Sequence, residues 1–265
     1  MQTALTSTAE AAQCPPGAGP TGAEQSGTAP QATRPLLGIL GGMGPMATAH
    51  FYRRLIERTP ARGDQEHLPV AIWADPTVPD RTEALLGRGP SPLSAMLTGV
   101  SWLTQARATC VAIPCNTAHA YIATLRTHTD VPILDMVSAA LEACRTLQPA
   151  LERIGVLATE GTRIAGLYDV AGEQLGLQIV HVPQPTQTRH VNRAIADVKR
   201  GDDTARARDD IAMAVGELQK AGAEMAIAAC TEIPLVADEA QRIMPVLDST
   251  SALADQALTM LLPLR

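Results

Sequence analysis

Two cysteines stand in matching contexts. Cys115 closes the run Val111-Ala112-Ile113-Pro114-Cys115-Asn116-Thr117, and Cys230 closes Ala226-Ile227-Ala228-Ala229-Cys230-Thr231-Glu232. In each, the apolar run reads as a buried strand and the polar residues after the thiol read as a helix start. Asn116 or Thr117, and Thr231, are the expected caps. A thiol at such a junction is expected to have a lowered pKa, because a helix N-terminus offers N–H donors and positive potential. Two thiols facing each other across a cleft suit a reaction needing a base on one face of a carbon and an acid on the other. Racemisation is of this kind: one thiolate removes the α-proton and the opposing thiol protonates the carbanion from behind. No cofactor is expected, since preorganised donors can stabilise the charge developing on a carboxylate.

The other cysteines carry no such context. Cys110 begins the strand that Cys115 ends, Cys144 falls in a helical stretch, and Cys14 lies near the N-terminus. Burial is the alternative for Cys115 and Cys230 as well, because free cysteine is among the most buried residue types; the matched contexts argue against it. Metal ligation is the other alternative. Cys115-x-x-x-His119 is present but no C-x-x-C pair accompanies it, so no metal is expected.

The elements positioning these thiols are legible in the pattern. Strands are expected at Leu36–Leu40, Val70–Ala74, Cys110–Ile113, Ile154–Ala158, Gln178–Val182 and Met225–Ala229. Amphipathic helices are expected at Met46–Glu57, Ser94–Ala108, Ala118–Thr127 and Asp209–Ala221. Such alternation indicates parallel sheets covered by helices. The pattern also repeats. Leu37-Gly38-Ile39-Leu40 runs into Gly41-Gly42-Met43-Gly44, and Ile154-Gly155-Val156-Leu157 runs into Ala158-Thr159-Glu160-Gly161. Gly38 precedes Cys115 by 77 positions and Gly155 precedes Cys230 by 75, so the chain reads as two pseudo-symmetric lobes. The expected boundaries are 35–134 for the first lobe and 135–247 for the second, with a C-terminal helix, 248–265, returning to the first.

Composition excludes several classes. Aromatic residues are only 2%, so the core must be aliphatic. The formal charge of −6, with no basic run, gives no nucleic-acid face. No apolar stretch approaches the roughly 20 residues of a membrane span. Five scattered cysteines are not a disulfide framework, which points to a reducing, cytoplasmic setting. Residues 1–34, rich in Ala, Thr, Gly, Pro and Gln, are expected to form a disordered tail.

Taken together, Gly38-Ile39-Leu40-Gly41-Gly42-Met43-Gly44-Pro45, Pro79-Asp80-Arg81-Thr82, Pro114-Cys115-Asn116-Thr117-Ala118-His119 and Cys230-Thr231-Glu232 resemble the motifs of the aspartate/glutamate racemase family, its aspartate racemase branch in particular. Ala158-Thr159-Glu160-Gly161-Thr162 and Asp248-Ser249-Thr250 fit as well, and the resemblance runs from Leu36 to the C-terminus. It implies a two-lobed α/β fold with the active site between the lobes, often as a homodimer, acting on a small acidic amino acid. It implies that Cys115 and Cys230 are the acid/base pair and that Asn116, Thr117 and Thr231 hold the α-carboxylate. Met43 would line the floor with the glycine turn, and Thr159 would stand in the matching place of the second lobe. Arg81 and Lys199, one of only two lysines, would receive a side-chain carboxylate. Asp80 and Glu232 would stand behind them, orienting neighbours, and His119, about one helical turn after Cys115, would either tune the thiol and its proton traffic or serve as a hydrogen-bonded structural histidine.

Aspartate is the expected substrate, with glutamate or another acidic amino acid, or an isomerase or decarboxylase reaction on the same fold, as alternatives. A nucleotide-binding protein is the alternative from a different class, because a glycine-rich turn follows a strand and opens a helix. Its spacing, G-x-x-G-G-x-G, departs from G-x-G-x-x-G, and no Gly-Lys-Ser/Thr is present. A non-catalytic amino-acid-binding module would leave the paired thiols without a purpose.

Overall fold

Runs of aliphatic residues form strands here, the central ones buried on both faces, and the longer amphipathic stretches between them form helices. The computed structural model describes residues 34–202 and 204–262. The chain runs β1 (Leu37–Gly41), α1 (Pro45–Arg58), β2 (Val70–Ala74), α2 (Arg81–Leu85), α3 (Leu93–Gln105), β3 (Cys110–Ala112), α4 (Ile122–Arg126) and α5 (Met136–Leu147). It continues β4 (Arg153–Ala158), α6 (Glu160–Ile164), α7 (Leu167–Gln174), β5 (Gln178–His181), α8 (Gln184–Thr186), α9 (Asn192–Arg200), α10 (Thr204–Lys220), β6 (Met225–Ala229), β7 (Val246–Asp248) and α11 (Ser249–Leu261). The tail expected over residues 1–34 lies outside the described residues except for Arg34, whose guanidinium donates to the carbonyls of Gln65 and His67.

Two sheets form, and every strand pair in them is parallel. The first has the order β2-β1-β3 and the second β5-β4-β6-β7. The sequence repeat is therefore a repeat in space, with β1 and β4 central in their sheets. It also extends further than the sequence suggested. A bridge from Val111 to Ile133 in the first lobe matches the pairing of β6 with β7 in the second. Each of these short segments ends in an aspartate that caps a helix: Asp135 accepts from the N–H groups of Val137 and Ser138, and Asp248 from that of Thr250. Three residues are too few to show a period, which is why β7 escaped the pattern.

The two helices capped in this way change sides. α5 follows the first sheet but buries Val137, Ala140, Leu141 and Cys144 against Ile154 and Val156 of the second. α11 follows the second sheet but buries Leu253, Ala254, Ala257 and Leu258 against Leu37 and Ile39 of the first and Phe51 of α1. Each fully buried Val, Leu, Ile or Phe side chain among these contributes roughly 1.5–3 kcal/mol. The two helices also pack on each other.

The glycine turn after β1 is spent on close packing. A Cβ on Gly41 would stand 2.5 Å from the Thr48 side chain, and one on Gly42 would stand 2.4 Å from the backbone of Asp75. Gly42 also has φ +88°, which L side chains rarely adopt. Thr48 Oγ1 accepts from the Gly42 N–H and donates to the Gly44 carbonyl, so the turn is stitched to α1 and presents Met43. Gly42→Ala therefore combines a left-handed backbone with a backbone clash and should cost about 3 kcal/mol. Gly176→Ala, at φ +69° in open space, should cost about 1 kcal/mol. Equal losses in urea denaturation would show that the approach of Gly42 to Asp75 is immaterial.

Candidate active site

Because both sheets are parallel, residues following β3 and β6 emerge at carboxyl edges, where ligands of open α/β sheets collect. Cys115 follows β3 and Cys230 follows β6, and the two thiols, each 6% exposed, line one pocket. Met43, Arg81, Asn116 and Thr117 join Cys115 there, and Thr159, Lys199 and Thr231 join Cys230. Asp80 and Glu232 line it too, as does Thr82, which sequence reasoning passed over although it belongs to the Pro-Asp-Arg-Thr motif. The enclosed space is only about 20 Å³, room for roughly one water. A wider groove of about 320 Å³ continues outward, sharing Asp80, Thr82, Thr159 and Lys199 with the pocket.

The expected helix caps do not form. The segments after the cysteines are short 3₁₀ turns, Thr117–Tyr121 and Ile233–Val236, and neither receives a side-chain cap. The helix expected over Ala118–Thr127 accordingly divides into the first of these turns and α4. The Cys115 carbonyl, the acceptor an α-helical His119 N–H would need, is taken instead by the Ala118 N–H at 3.2 Å and by His119 Nδ1 at 2.9 Å. The backbone N–H groups of Asn116, Thr117 and Thr231 have no acceptor among the described residues. They are available to an anion.

The lowered thiol pKa expected from those caps is not found at Cys230. Burial pushes this thiol well above its ordinary range, the Glu232 carboxylate adds to the rise, and Lys199 pulls it down. The thiol donates to Glu232 Oε2 at 3.0 Å. Cys110 and Cys144 are simple core thiols, pushed by burial to about 11 and about 12.

Two cations face this cluster. Arg81, only 8% exposed, donates to the carbonyls of Val78, Pro79 and Met43, while its buried Nε has no partner. Among the described residues no carboxylate pairs with it, so a buried guanidinium stands uncompensated. Lys199 lies in the last turn of α9, exposed along its flank. Desolvation lowers its pKa, but Cys230, Glu232 and Cys115 together outweigh that, and the net shift is upward. Asp80 caps α2 by accepting from the Glu83 N–H, which turns it to solvent.

Residues 40–257 match the profile of the Asp/Glu/hydantoin racemase family. The chain belongs to that family. It is accordingly an amino-acid racemase in the broad sense, an isomerase. It is 27% identical over 223 residues to the broad specificity amino-acid racemase RacX of Bacillus subtilis, covering 83% of this chain and 95% of that one. Among solved structures, the aspartate racemase of Picrophilus torridus superposes with a TM-score of 0.75 at 28% identity, over 85% of this chain and 94% of that one. Glutamate racemase of Francisella tularensis, solved with D-glutamate, shares the fold at a TM-score of 0.65 and 14% identity, over 86% and 81% of the two chains.

The pocket is framed by side chains brought in from elsewhere in the chain. Asn116 Oδ1 accepts from the Tyr168 hydroxyl at 2.6 Å and its Nδ2 donates to Ser249 Oγ at 3.2 Å, which fixes the amide from α7 and α11. Thr117, Thr159 and Thr162 share hydroxyl hydrogen bonds of 2.9–3.1 Å, joining the lobes beside the pocket. A single π-turn, Gln187–Val191, lets the buried Gln187 donate to the Ala158 carbonyl and to Asn192, tying α9 and its Lys199 to the end of β4.

His119 does not line the pocket. Its Nε2 accepts from the Met136 N–H at 3.0 Å, so Nδ1 carries the proton and donates to the Cys115 carbonyl. Protonation would set Nε2–H against an N–H, and burial lowers the His119 pKa below 6.5. The folded state thus binds fewer protons than the unfolded one: stability is full above pH 6.5 and is lost as pH falls below it. The unfolding free energy should drop between pH 7 and 5, by at most about 1.4 kcal/mol per pH unit for each such group. His119→Gln should be less stable at pH 7 yet show a shallower pH dependence, with the residual slope owed to His50, likewise depressed by burial. An unchanged slope in urea titrations of the variant would refute this role.

Proposed function

We propose that the enzyme interconverts L- and D-aspartate by two-thiol proton transfer at the α-carbon. The observation carrying this reading is that two thiols, one from each sheet, meet in one pocket beside a buried guanidinium lacking a protein carboxylate. A substrate carboxylate would supply the missing charge. The free N–H groups of Asn116, Thr117 and Thr231 take the α-carboxylate, while Arg81 and Lys199 take the side-chain carboxylate. With both carboxylates fixed, the α-carbon lies between the sulfurs, and charge developing on the α-carboxylate is met by donors already in place. Cys115 and Cys230 exchange roles with the direction of reaction.

The enclosed volume is far smaller than an amino acid, so admission requires the rim carrying Asp80, Thr82, Thr159 and Lys199 to part. The name of the Picrophilus torridus relative favours aspartate. A broader reading, several amino acids including glutamate, is favoured by the name of the Bacillus subtilis relative. The four described cysteines are all free, in keeping with a reducing compartment. A homodimer is part of the proposal, on the strength of the family resemblance.

Proton NMR in D₂O, with L-aspartate and then L-glutamate and no added cofactor, tests the reaction. Loss of the α-proton signal with appearance of the D-enantiomer is expected, fastest for aspartate; no exchange with either, from folded and reduced protein, would defeat the reading. Cys115→Ala and Cys230→Ala should each lower the rate by about 10³-fold or more, and full activity in either would exclude the two-thiol mechanism. Arg81→Lys, which keeps charge but loses the planar fork, should raise KM for aspartate more than it lowers kcat.

A further inference from the structure

Glu232 is the buried carboxylate of the pocket, 5% exposed, and among the described residues no Lys, Arg or His stands within ion-pair distance of it. Its Oε2 instead accepts from the Cys230 thiol at 3.0 Å and from the Thr231 hydroxyl at 3.4 Å. A buried carboxylate depends on its donors, and the S–H is the nearer of these two. Deprotonating Cys230 would remove that donor and leave two like charges at hydrogen-bond distance. The Cys115 sulfur has no comparable acceptor among the described residues. The two thiols, alike in sequence context, are thus unlike in surroundings.

We infer that Glu232 is a positioning residue that holds Cys230 as the protonated thiol in the resting enzyme, so that turnover begins with Cys230 as the acid and Cys115 as the base. This rests on the two-thiol reaction proposed above. The Cys115 thiolate takes the α-proton, the S–H bond of Cys230 breaks as its proton passes to the opposite face of the carbanion, and no electrons are gained or lost. Turnover leaves Cys115 protonated and Cys230 as a thiolate beside Glu232. Water then removes the proton from the first sulfur and returns one to the second. The enantiomer whose α-hydrogen faces Cys115 is the one the resting form accepts directly.

The other groups facing Cys230 are Lys199 from α9, Tyr168 from α7 and Cys115 across the pocket. Lys199 favours the thiolate and opposes Glu232, whereas Tyr168, held neutral by burial, contributes no charge. The asymmetry cannot show in kcat/KM, because the equilibrium constant of racemisation is unity and the two enantiomers must share one kcat/KM at every pH. It must be read from the thiols themselves.

The test is the ultraviolet absorbance of thiolate, followed with pH in the full chain carrying Cys14→Ser. Cys110 and Cys144, pushed by burial to about 11 and about 12, are common to every variant and cancel in the difference titrations. Adding Cys115→Ser isolates Cys230, and adding Cys230→Ser isolates Cys115. Cys230 is expected to titrate at higher pH than Cys115, a comparison that leaves residue 232 untouched and so survives any folding defect of its variants. Glu232→Gln should lower the Cys230 midpoint by about one pH unit or more and leave that of Cys115 nearly unmoved, and Glu232→Asp should restore part of the shift. Cys230 titrating with or below Cys115, or failing to respond to Glu232→Gln in folded protein, would overturn the inference. Racemisation by the Cys14→Ser protein is measured in parallel. If it persists while the thiols titrate alike, the role of Glu232 alone falls; if it is absent, the two-thiol reading falls and takes this inference with it.

Discussion

Parallel pairing of strands imposes the arrangement on which everything else here depends. When neighbouring strands run the same way, all their carboxyl ends lie along one edge, and the backbone there has left the ladder with donors still unpaired. β3 and β6 each deliver a cysteine to that edge, and the sequence repeat guarantees that they do so from equivalent places in the two sheets. A pair of thiols in one pocket is therefore a property of duplicated topology and of where the parallel strands stop. The unsatisfied N–H groups of Asn116, Thr117 and Thr231 have the same origin.

The electrostatics of the pocket follow from what it excludes. With little water inside, each charge depends on its immediate neighbours. Arg81 is held by three carbonyl groups, which orient it without neutralising it, and Glu232 is held by a thiol and a hydroxyl. Cation and carboxylate are each left with hydrogen bonds and no ion pair. A site built this way is costly when empty and receptive to a ligand that carries carboxylates of its own. The desolvation that makes Cys230 a reluctant thiolate also makes it a strong base once the proton has gone, which proton abstraction from carbon requires.

Much of this could be read before any coordinate. Val70–Ala74 and Met225–Ala229 form strands over the residues expected, β4 begins one residue earlier, and β1 is shifted by one residue at both ends. The candidate residues named from motifs, apart from His119, share one pocket. What the sequence hid was of two kinds. One was the effect of burial: Asn116, Thr117 and Thr231 look like caps and Cys230 like an acidic thiol until His119 takes the Cys115 carbonyl and the protein closes over the sulfur. The other was distance. Tyr168 reaches Asn116 across 52 positions from outside every motif, and Ser249 does so across 133, from a motif that gives no sign of this partner.

The exchange of α5 and α11 bears on how the chain becomes a protein at all. The first sheet lacks the cover of one face until α11 arrives, and α11 follows every strand of both sheets in the chain. The second sheet in turn needs α5, made before any of its own strands. Neither half owns a finished core, so neither is an autonomous folding unit, and loop closure over almost the full length must precede the reward of packing. Such a molecule commits late and as a whole. Its two thiols are brought together by the same event that completes both cores.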